Sequence, residues 1–149
     1  MSGCGADLVG ESLHPGVARG PLLVLVEPVS FWGGVDATGV IVDARHPQRG
    51  TSLAGRVVAM RAGRGSSSAS AVLAEQIRSG HAPAALLLGE RDTVLLLGAL
   101  VAAELYDARL PVVLIGESDF AALDGGEVEV RAGDPPTPAT VRRAGGDPR

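Results

Sequence analysis

The chain has 149 residues, of which 46% are hydrophobic, 20% charged and 3% aromatic, and its formal net charge is −4. This composition predicts one globular domain with a core of aliphatic side chains and excludes a disordered chain. The negative charge argues against a nucleic-acid-binding surface, and the longest apolar run, residues 94–103, is too short to span a membrane. Residues 1–11 show no secretory signal, so we expect a cytoplasmic protein.

The single cysteine, Cys4, limits the chemistry of the chain. One thiol cannot form an intrachain disulfide, and it cannot hold an iron–sulfur cluster or a structural zinc ion. We therefore expect no metal centre held by this chain alone.

Short apolar runs predict three strands in the first half of the chain, at residues 21–26, 40–42 and 56–60. Residues 71–78 carry apolar side chains at helical spacing, and Gly80 is expected to end this helix. The GRGSSS segment, residues 63–68, therefore lies at a predicted strand-to-helix junction.

The second half of the chain predicts a strand at 84–88, a helix at 94–106 capped by Asp92, and a buried strand at 110–115. A right-handed crossover should make the two strands parallel neighbours. Residues 127–130 alternate like an edge strand. Together these elements predict a mixed α/β domain.

The domain boundaries follow from composition. Residues 1–12 are expected to be a flexible N-terminus and residues 13–132 the folded domain. Residues 133–149 are rich in Pro and Gly and are interpreted as a disordered tail.

The segment Gly63 to Ser70 has the composition of an anion-binding loop. Its small residues let the backbone approach a ligand, and the helix that follows presents N–H groups with partial positive charge. Arg64 adds a guanidinium that can grip a carboxylate or a phosphate. Serine-rich turns also precede helices simply because serine caps them, so this segment alone does not decide between the two interpretations.

Two further loops contain unusual residues. Residues 30–36, SFWGGVD, place the only tryptophan, Trp32, beside Gly33 and Gly34, which suits a loop that closes over a ligand or partner. A hairpin turn with a hydrophobic plug would have the same composition. Residues 43–50 gather titratable and amide side chains around His46, which on its own is more typical of a surface residue than of a metal ligand.

The order of the segments resembles the swivel-domain small subunit of the aconitase X family. The resemblance rests on five blocks in the family's order: EPVSFWGGVD, TGVIVDARHPQRGTSLAGRVV, GRGSSSASAVLAEQI, APAALLLGERDTVLLLGALVAAELY and LPVVLIG. It covers roughly residues 16–116. The sequence departs from the family's pattern at Met60-Arg61-Ala62, where a Pro-Ser pair is expected, and at Ala69.

The resemblance implies an aconitase-type swivelling β/β/α domain with a mixed sheet. It implies that the chain is the small subunit of a heteromeric hydro-lyase, whose large subunit holds an iron–sulfur cluster that acts on the leaving hydroxyl. The residue matching the family's catalytic base is Ser66. The same loop would contact the substrate through Arg64, Gly65, Ser67 and Ser68, with possible contacts from Trp32, Gly33, Gly34 and His46.

The family contains cis-3-hydroxy-L-proline dehydratase and phosphomevalonate dehydratase, so the substrate would be a small hydroxy acid. Candidate anion contacts are Arg45, Arg49, Arg61 and Arg64. The GC-rich codon usage suggested by the composition leans toward a bacterial source and the hydroxyproline reaction.

Two other functions remain open from the sequence. One is a non-catalytic anion-binding or assembly module that regulates a partner. The other is a free-standing hydrolase that uses Ser66. The sequence does not favour it, because the histidines are scattered along the chain and match no triad motif: they are His14, His46 and His81.

Overall fold

The structure, a computed structural model, describes residues 7–123 and 125–144. Within these residues the strands, in chain order, are β1 (Leu8–His14), β2 (Gly16–Val24), β3 (Val57–Met60), β4 (Ala85–Leu88), β5 (Val112–Leu114), β6 (Glu127–Ala132) and β7 (Pro138–Arg143). The helices are α1 (Ala69–Ser79), α2 (Thr93–Tyr106) and α3 (Glu117–Ala122). No helix in the described ranges is long and apolar enough to cross a membrane.

The strands form one mixed sheet that closes on itself in the order β1-β5-β4-β3-β2-β6-β7. Strands β2, β3, β4 and β5 are parallel neighbours, and the remaining pairs are antiparallel. The parallel part follows from the helices, because α1 connects β3 to β4 and α2 connects β4 to β5, and such crossovers return the chain in the same direction.

The two faces of the sheet carry two separate cores, because side chains alternate along a strand. Val57 and Ala59 belong to the cluster that fills the barrel together with residues of β6 and β7. Val58 and Met60 belong to the other cluster, which lies against α1 and α2. Strand β3 is thus buried on both faces, and this holds the loop that follows it at a fixed position.

Most of the predicted elements are confirmed. The predicted strands at 56–60, 84–88 and 110–115 correspond to β3, β4 and β5, and the latter two are parallel neighbours. Gly80 ends α1 in the left-handed conformation, with a φ of 84°. Asp92 caps α2, and its side chain accepts a hydrogen bond from the Leu95 N–H at 2.9 Å.

The predicted strand at residues 40–42 is wrong. Val40 and Ile41 form only isolated bridges, to Ser52 and Val35. They lie in the long connection between β2 and β3, whose turns are held by Asp36. Its carboxylate accepts hydrogen bonds from the Thr38 hydroxyl and from the N–H groups of Thr38 and Val40. These bonds, led by the one from the Thr38 hydroxyl, lower the pKa of Asp36.

Both ends of the domain extend further than the composition predicted. Strand β1 begins at Leu8, within the segment expected to be flexible, and β7 lies in the segment expected to be a disordered tail. Residues 1–6 and 145–149 of these segments lie outside the described residues. Strand β6 is also not an edge strand, because it pairs with β2 on one side and β7 on the other.

Because β7 is part of the barrel, substitution of its buried side chains should lower the stability of the domain. Val141 is 3% exposed and packs in the barrel core, whereas Val9, on the neighbouring strand, is 61% exposed. Val141→Ala removes buried carbon and leaves a cavity, so we expect it to lower the free energy of unfolding by about 2–3 kcal/mol. The control Val9→Ala should cost less than about 1 kcal/mol. Denaturant unfolding measures both, and equal stability of the two variants would mean that β7 is not part of the folded barrel.

Candidate functional site

The loop between β3 and α1 places the GRGSSS segment at the carboxyl end of a buried parallel strand. Ser66 lies in this loop, in neither strand nor helix, as the sequence predicts. The turn into α1 is closed by hydrogen bonds from each N–H to the carbonyl three residues earlier. The N–H groups of Ala69, Ser70 and Ala71 donate to the carbonyls of Ser66, Ser67 and Ser68, respectively. The three serines are exposed.

The three serines occupy different positions in this turn. The Ser66 Oγ accepts a hydrogen bond from the Ser68 N–H at 3.1 Å. Ser68 is the N-cap residue of α1, but its side chain makes no capping bond. The Ser67 carbonyl accepts a bond from the Ser70 hydroxyl at 2.9 Å. Of the three hydroxyl groups, only that of Ser66 is held by the backbone.

The donors available to an anion differ from those expected at a bare helix N-terminus. The N–H groups of Ala69, Ser70 and Ala71 already donate within the turn. Across the described residues, the N–H groups of Gly65 and Ser66 have no hydrogen-bond acceptor. Anion binding at this loop would therefore depend on loop amides and Arg64 more than on the first amides of α1.

Gly65 joins this loop to the SFWGG segment. Its φ is 105°, a left-handed conformation that favours glycine. A Cβ atom at this position would collide with the side chain of Ser30. The Ser30 Oγ is itself fixed, since it accepts from the Trp32 N–H at 3.0 Å and donates to the Trp32 carbonyl at 2.9 Å. The two loops that the sequence singled out are therefore in direct contact.

Gly63 brings a third segment to the site. A Cβ atom here would collide with the carboxylate of Asp92, the cap of α2. A cavity of about 100 Å³ lies at this junction. It is lined by Gly63, Arg64, Gly65, Ser66, Ala69, Asp92, Val94 and Leu95. Pockets that enclose a small organic ligand are usually several times larger, so this cavity alone is too small to enclose one.

The candidate arginines are separated by the fold. Arg64 lines the cavity, is exposed, and makes no ion pair within the part of the chain that the structure describes. Arg61 pairs with Glu117 and lies over the Phe120 ring, with its guanidinium carbon 5.3 Å from the ring centroid. Arg45 and Arg49 do not line the cavity. One cation is thus available at the serine loop.

The SFWGG segment combines the two interpretations that its composition allowed. Trp32 is 57% exposed, as a contact residue would be, but Phe31 is 1% exposed and belongs to the helix-side core. Phe31 therefore acts as a hydrophobic plug in the same core cluster as Val29 and Val35, and only the Trp32 ring is available to a ligand or partner in this segment. Gly33 is exposed and Gly34 is buried.

The expectation that His46 is a surface residue is also wrong. The side chain is 4% exposed. Its Nδ1 accepts a bond from the Gln48 N–H at 3.0 Å, so its Nε2–H donates to the Glu27 carbonyl at 2.9 Å. The imidazole ties two loop segments together and lines neither the cavity nor the groove described below. Its contacts are structural.

The other histidines also lie away from the Ser66 hydroxyl. His14 is buried and hydrogen-bonded to the Leu110 carbonyl, and its burial lowers its pKa. The His81 Nδ1 lies 3.1 Å from the Ser79 hydroxyl. Within the described ranges, none of the three imidazoles lies within hydrogen-bonding distance of Ser66, which agrees with the low weight given to a serine hydrolase.

Sequence reasoning missed three residues around this site. Ser30 and the loop-facing carboxylate of Asp92 come from segments distant along the chain, and a sequence gives no signal of such contacts. Asp92 was identified only as a helix cap. Gln76 falls within the helix predicted at residues 71–78, and its contacts have no signal in the sequence: it is 1% exposed and its Nε2 donates to the Asp36 carbonyl at 3.0 Å.

The donor set of this chain does not fit an iron–sulfur cluster. Such a cluster is held by several thiolates, and the chain has one cysteine. The described residues also contain no group of three His, Cys, Asp or Glu side chains arranged to hold a metal ion. We derive no chemistry from a metal held by this chain.

Comparison with known proteins identifies relatives of the whole domain. Residues 7–135 match the family described as the aconitase X swivel domain. The chain is 40% identical over 145 residues to a cis-3-hydroxy-L-proline dehydratase of Pseudomonas aeruginosa. The aligned region covers 92% of this chain but 25% of the relative. The chain thus spans about a quarter of that relative's length. It is 37% identical to a phosphomevalonate dehydratase small subunit of Thermococcus gammatolerans, with 85% of this chain and 98% of that subunit covered.

Solved structures agree with the fold. The holo-form crystal structure of aconitase X from Thermococcus kodakaraensis superposes with a TM-score of 0.78 at 31% identity, covering 92% of this chain and 98% of that chain. The solution structure of a UPF0107 protein superposes with a TM-score of 0.77 at 29% identity, covering 94% of this chain and 100% of that chain.

Because Gly65 contacts Ser30, substitutions at these two positions should have coupled effects on the free energy of unfolding. Gly65→Ala must accept both an unfavourable φ and a collision with Ser30, whereas Gly50→Ala, with a φ of 91° and open space around its Cβ, meets only the first. We expect Gly50→Ala to cost about 1–2 kcal/mol of unfolding free energy and Gly65→Ala about 1–3 kcal/mol more.

Adding Ser30→Gly should bring the cost of Gly65→Ala close to that of Gly50→Ala, because it removes the colliding atoms. Denaturant unfolding of the four proteins in this double-mutant cycle measures the coupling. Additive effects of Ser30→Gly and Gly65→Ala would show that the two loops are not in contact.

Proposed function

The chain belongs to the aconitase X swivel-domain family, and from this membership we propose that it is the small subunit of a heteromeric dehydratase, with Ser66 as the base that removes a proton from carbon. The observation that carries the proposal is the position of Ser66. It lies at a backbone-fixed turn, beside an unpaired guanidinium, in a cavity open on one side. The remaining wall of the active site would come from the large subunit, which would also hold the iron–sulfur cluster.

The environment of the Ser66 Oγ supports its role as the base. A serine hydroxyl is a weak base, so its alkoxide must be stabilised before it can accept a proton from carbon. The Ser68 N–H donates to this oxygen at 3.1 Å, and a hydrogen bond donated to an oxygen favours its charged form. Closure by a partner would exclude water and strengthen this interaction.

Arg64 would orient the substrate. Its guanidinium is the cation of the cavity, and it can bind one carboxylate through two parallel hydrogen bonds. Since Arg61 is engaged by Glu117, Arg64 is the one candidate arginine that lines the cavity, and this suits a substrate with a single carboxylate. We therefore favour cis-3-hydroxy-L-proline, a carboxylate, over 5-phosphomevalonate.

Elimination of water removes a proton from one carbon and hydroxide from its neighbour. The residues of this chain would carry out the removal of the proton. Ser66 would receive it on Oγ, while the amides of Gly65 and Ser66 and the Arg64 guanidinium hold the carboxylate whose charge increases as the proton leaves. The leaving hydroxyl would be handled by the large subunit, so the isolated chain should have no dehydratase activity.

Substitution of the serines tests the proposal in the enzyme reconstituted with its large subunit. Ser66→Ala should lower kcat by about 10²–10⁴-fold with little change in substrate binding, because the lost group acts in the transition state. Ser118→Ala is the matched control, since Ser118 is an exposed serine of α3 that does not line the cavity, and it should retain kcat within about threefold.

Both substrates are assayed with each protein. If Ser66→Ala keeps more than about a tenth of the wild-type kcat, equivalent to roughly 1.4 kcal/mol of barrier, Ser66 is not the base and the assignment moves to Ser67 or Ser68. A reconstituted complex that turns over neither substrate would instead favour the anion-binding or assembly module.

A further inference from the structure

A wide groove lies beside the serine loop, between the SFWGG segment and α1. Its volume is about 590 Å³. It is lined on one side by Phe31, Trp32, Gly33, Val35, Ala37 and Thr38, and on the other by Ala71, Val72, Glu75, Gln76, Ser79 and His81. We call it the α1 groove. None of the functions assigned above uses it.

The lining of the α1 groove is mainly apolar, and its one carboxylate is neutralised. Glu75 pairs with Arg78, three residues further along α1, and the bonds from Arg78 lower the pKa of Glu75. Trp32, at the rim, is 57% exposed. Tryptophan in such a position is typical of residues that dominate binding energy at protein interfaces. The groove thus suits an uncharged, apolar segment.

Gln76 is a buried polar residue in the wall of the groove. Its Nε2 donates to the Asp36 carbonyl at 3.0 Å, which fixes the orientation of the amide. Its Oε1 is buried and has no hydrogen-bond partner among the described residues. A buried acceptor without a donor costs about 1–3 kcal/mol. Because this oxygen is buried, Gln76 presents no accessible acceptor to a partner in the groove.

The α1 groove is also linked to the proposed active site through Ser30. Trp32 lines the groove, and Ser30, which holds the Trp32 backbone, packs on Gly65 beside Ser66. In the Pseudomonas relative, three quarters of the protein lies outside the region matched by this chain. In a two-subunit enzyme that part must associate through a surface that reaches the serine loop.

We propose that the α1 groove receives an apolar segment of the large subunit. The proposal rests on the proposed function, since it requires that partner. The segment would bury Trp32 and bring the large subunit next to Ser66. The groove would then fix the position of the serine loop relative to the partner's part of the active site.

Trp32 provides a direct probe, because it is the only tryptophan of the chain. The chain is labelled with fluorotryptophan and titrated with unlabelled large subunit, while complex formation is followed by gel filtration. We expect the single fluorine resonance to shift on binding and to lose its sensitivity to solvent isotope. A complex that forms while the resonance stays unchanged would overturn the proposal.

A pair of substitutions tests the groove independently. Ala71 is an exposed α1 residue that lines the groove, and Ala121 is an exposed alanine of α3 that does not. Ala71→Arg places a charged side chain in the groove and should weaken binding of the large subunit by about tenfold or more, whereas Ala121→Arg should change it by less than about twofold. Circular dichroism checks that both variants are folded, and Trp32→Ala serves as a second groove variant that should also weaken binding.

Binding of Ala71→Arg and Trp32→Ala as tight as wild type, or equal weakening by Ala121→Arg, would exclude the groove as the docking site. These outcomes are separable from failure of the proposed function. If the groove variants assemble normally while Ser66→Ala abolishes turnover, the dehydratase assignment stands without the groove. If assembly depends on the groove but neither substrate is turned over, the groove stands without the assigned reaction.

Discussion

The close approach of Gly65 to Ser30 is the contact on which the serine-bearing end of the molecule depends. A side chain at position 65 would not fit against Ser30, so the two loops can touch only where one of them has no Cβ. The Ser30 hydroxyl is fixed by two bonds to the Trp32 backbone. Through this contact the position of Trp32 is linked to that of Ser66.

A second glycine, Gly63, fixes the serine loop on the side opposite Ser30. Gly63 lies against the carboxylate of Asp92, which caps α2. The loop is therefore held between the start of α2 and the SFWGG segment, and its ends are fixed by β3 and α1, both of which belong to the helix-side core. Such support gives an exposed serine a defined orientation.

The sequence predicted the central part of this arrangement because local patterns determine it. A short buried run before a loop and helical spacing after it indicate a strand-to-helix junction, and Asp92 and Gly80 mark helix ends by their own chemistry. The contacts of Gly63 and Gly65 could not be predicted, because they join segments far apart in the chain. The burial of Phe31 and His46 has the same origin, since neighbours supplied by other segments enclose both side chains.

The errors at the C-terminus have a different cause. The Pro-rich stretch before β7 dominates the composition, although residues 138–143 alternate between outward and inward side chains, with Ala139 and Val141 buried. That alternation is the signal that composition obscured. Strand β6 was assigned to an edge because the sequence does not show that β7 continues the sheet and closes the barrel.

Hydrogen–deuterium exchange of this chain with and without its large subunit tests the central claim most directly, namely that the loop contact at Gly65 builds one face that a partner closes. The account predicts that binding slows amide exchange in both residues 30–34 and residues 63–68, with little change in β6 and β7. Slowed exchange centred on β6 and β7, with no change in the two loops, would contradict it.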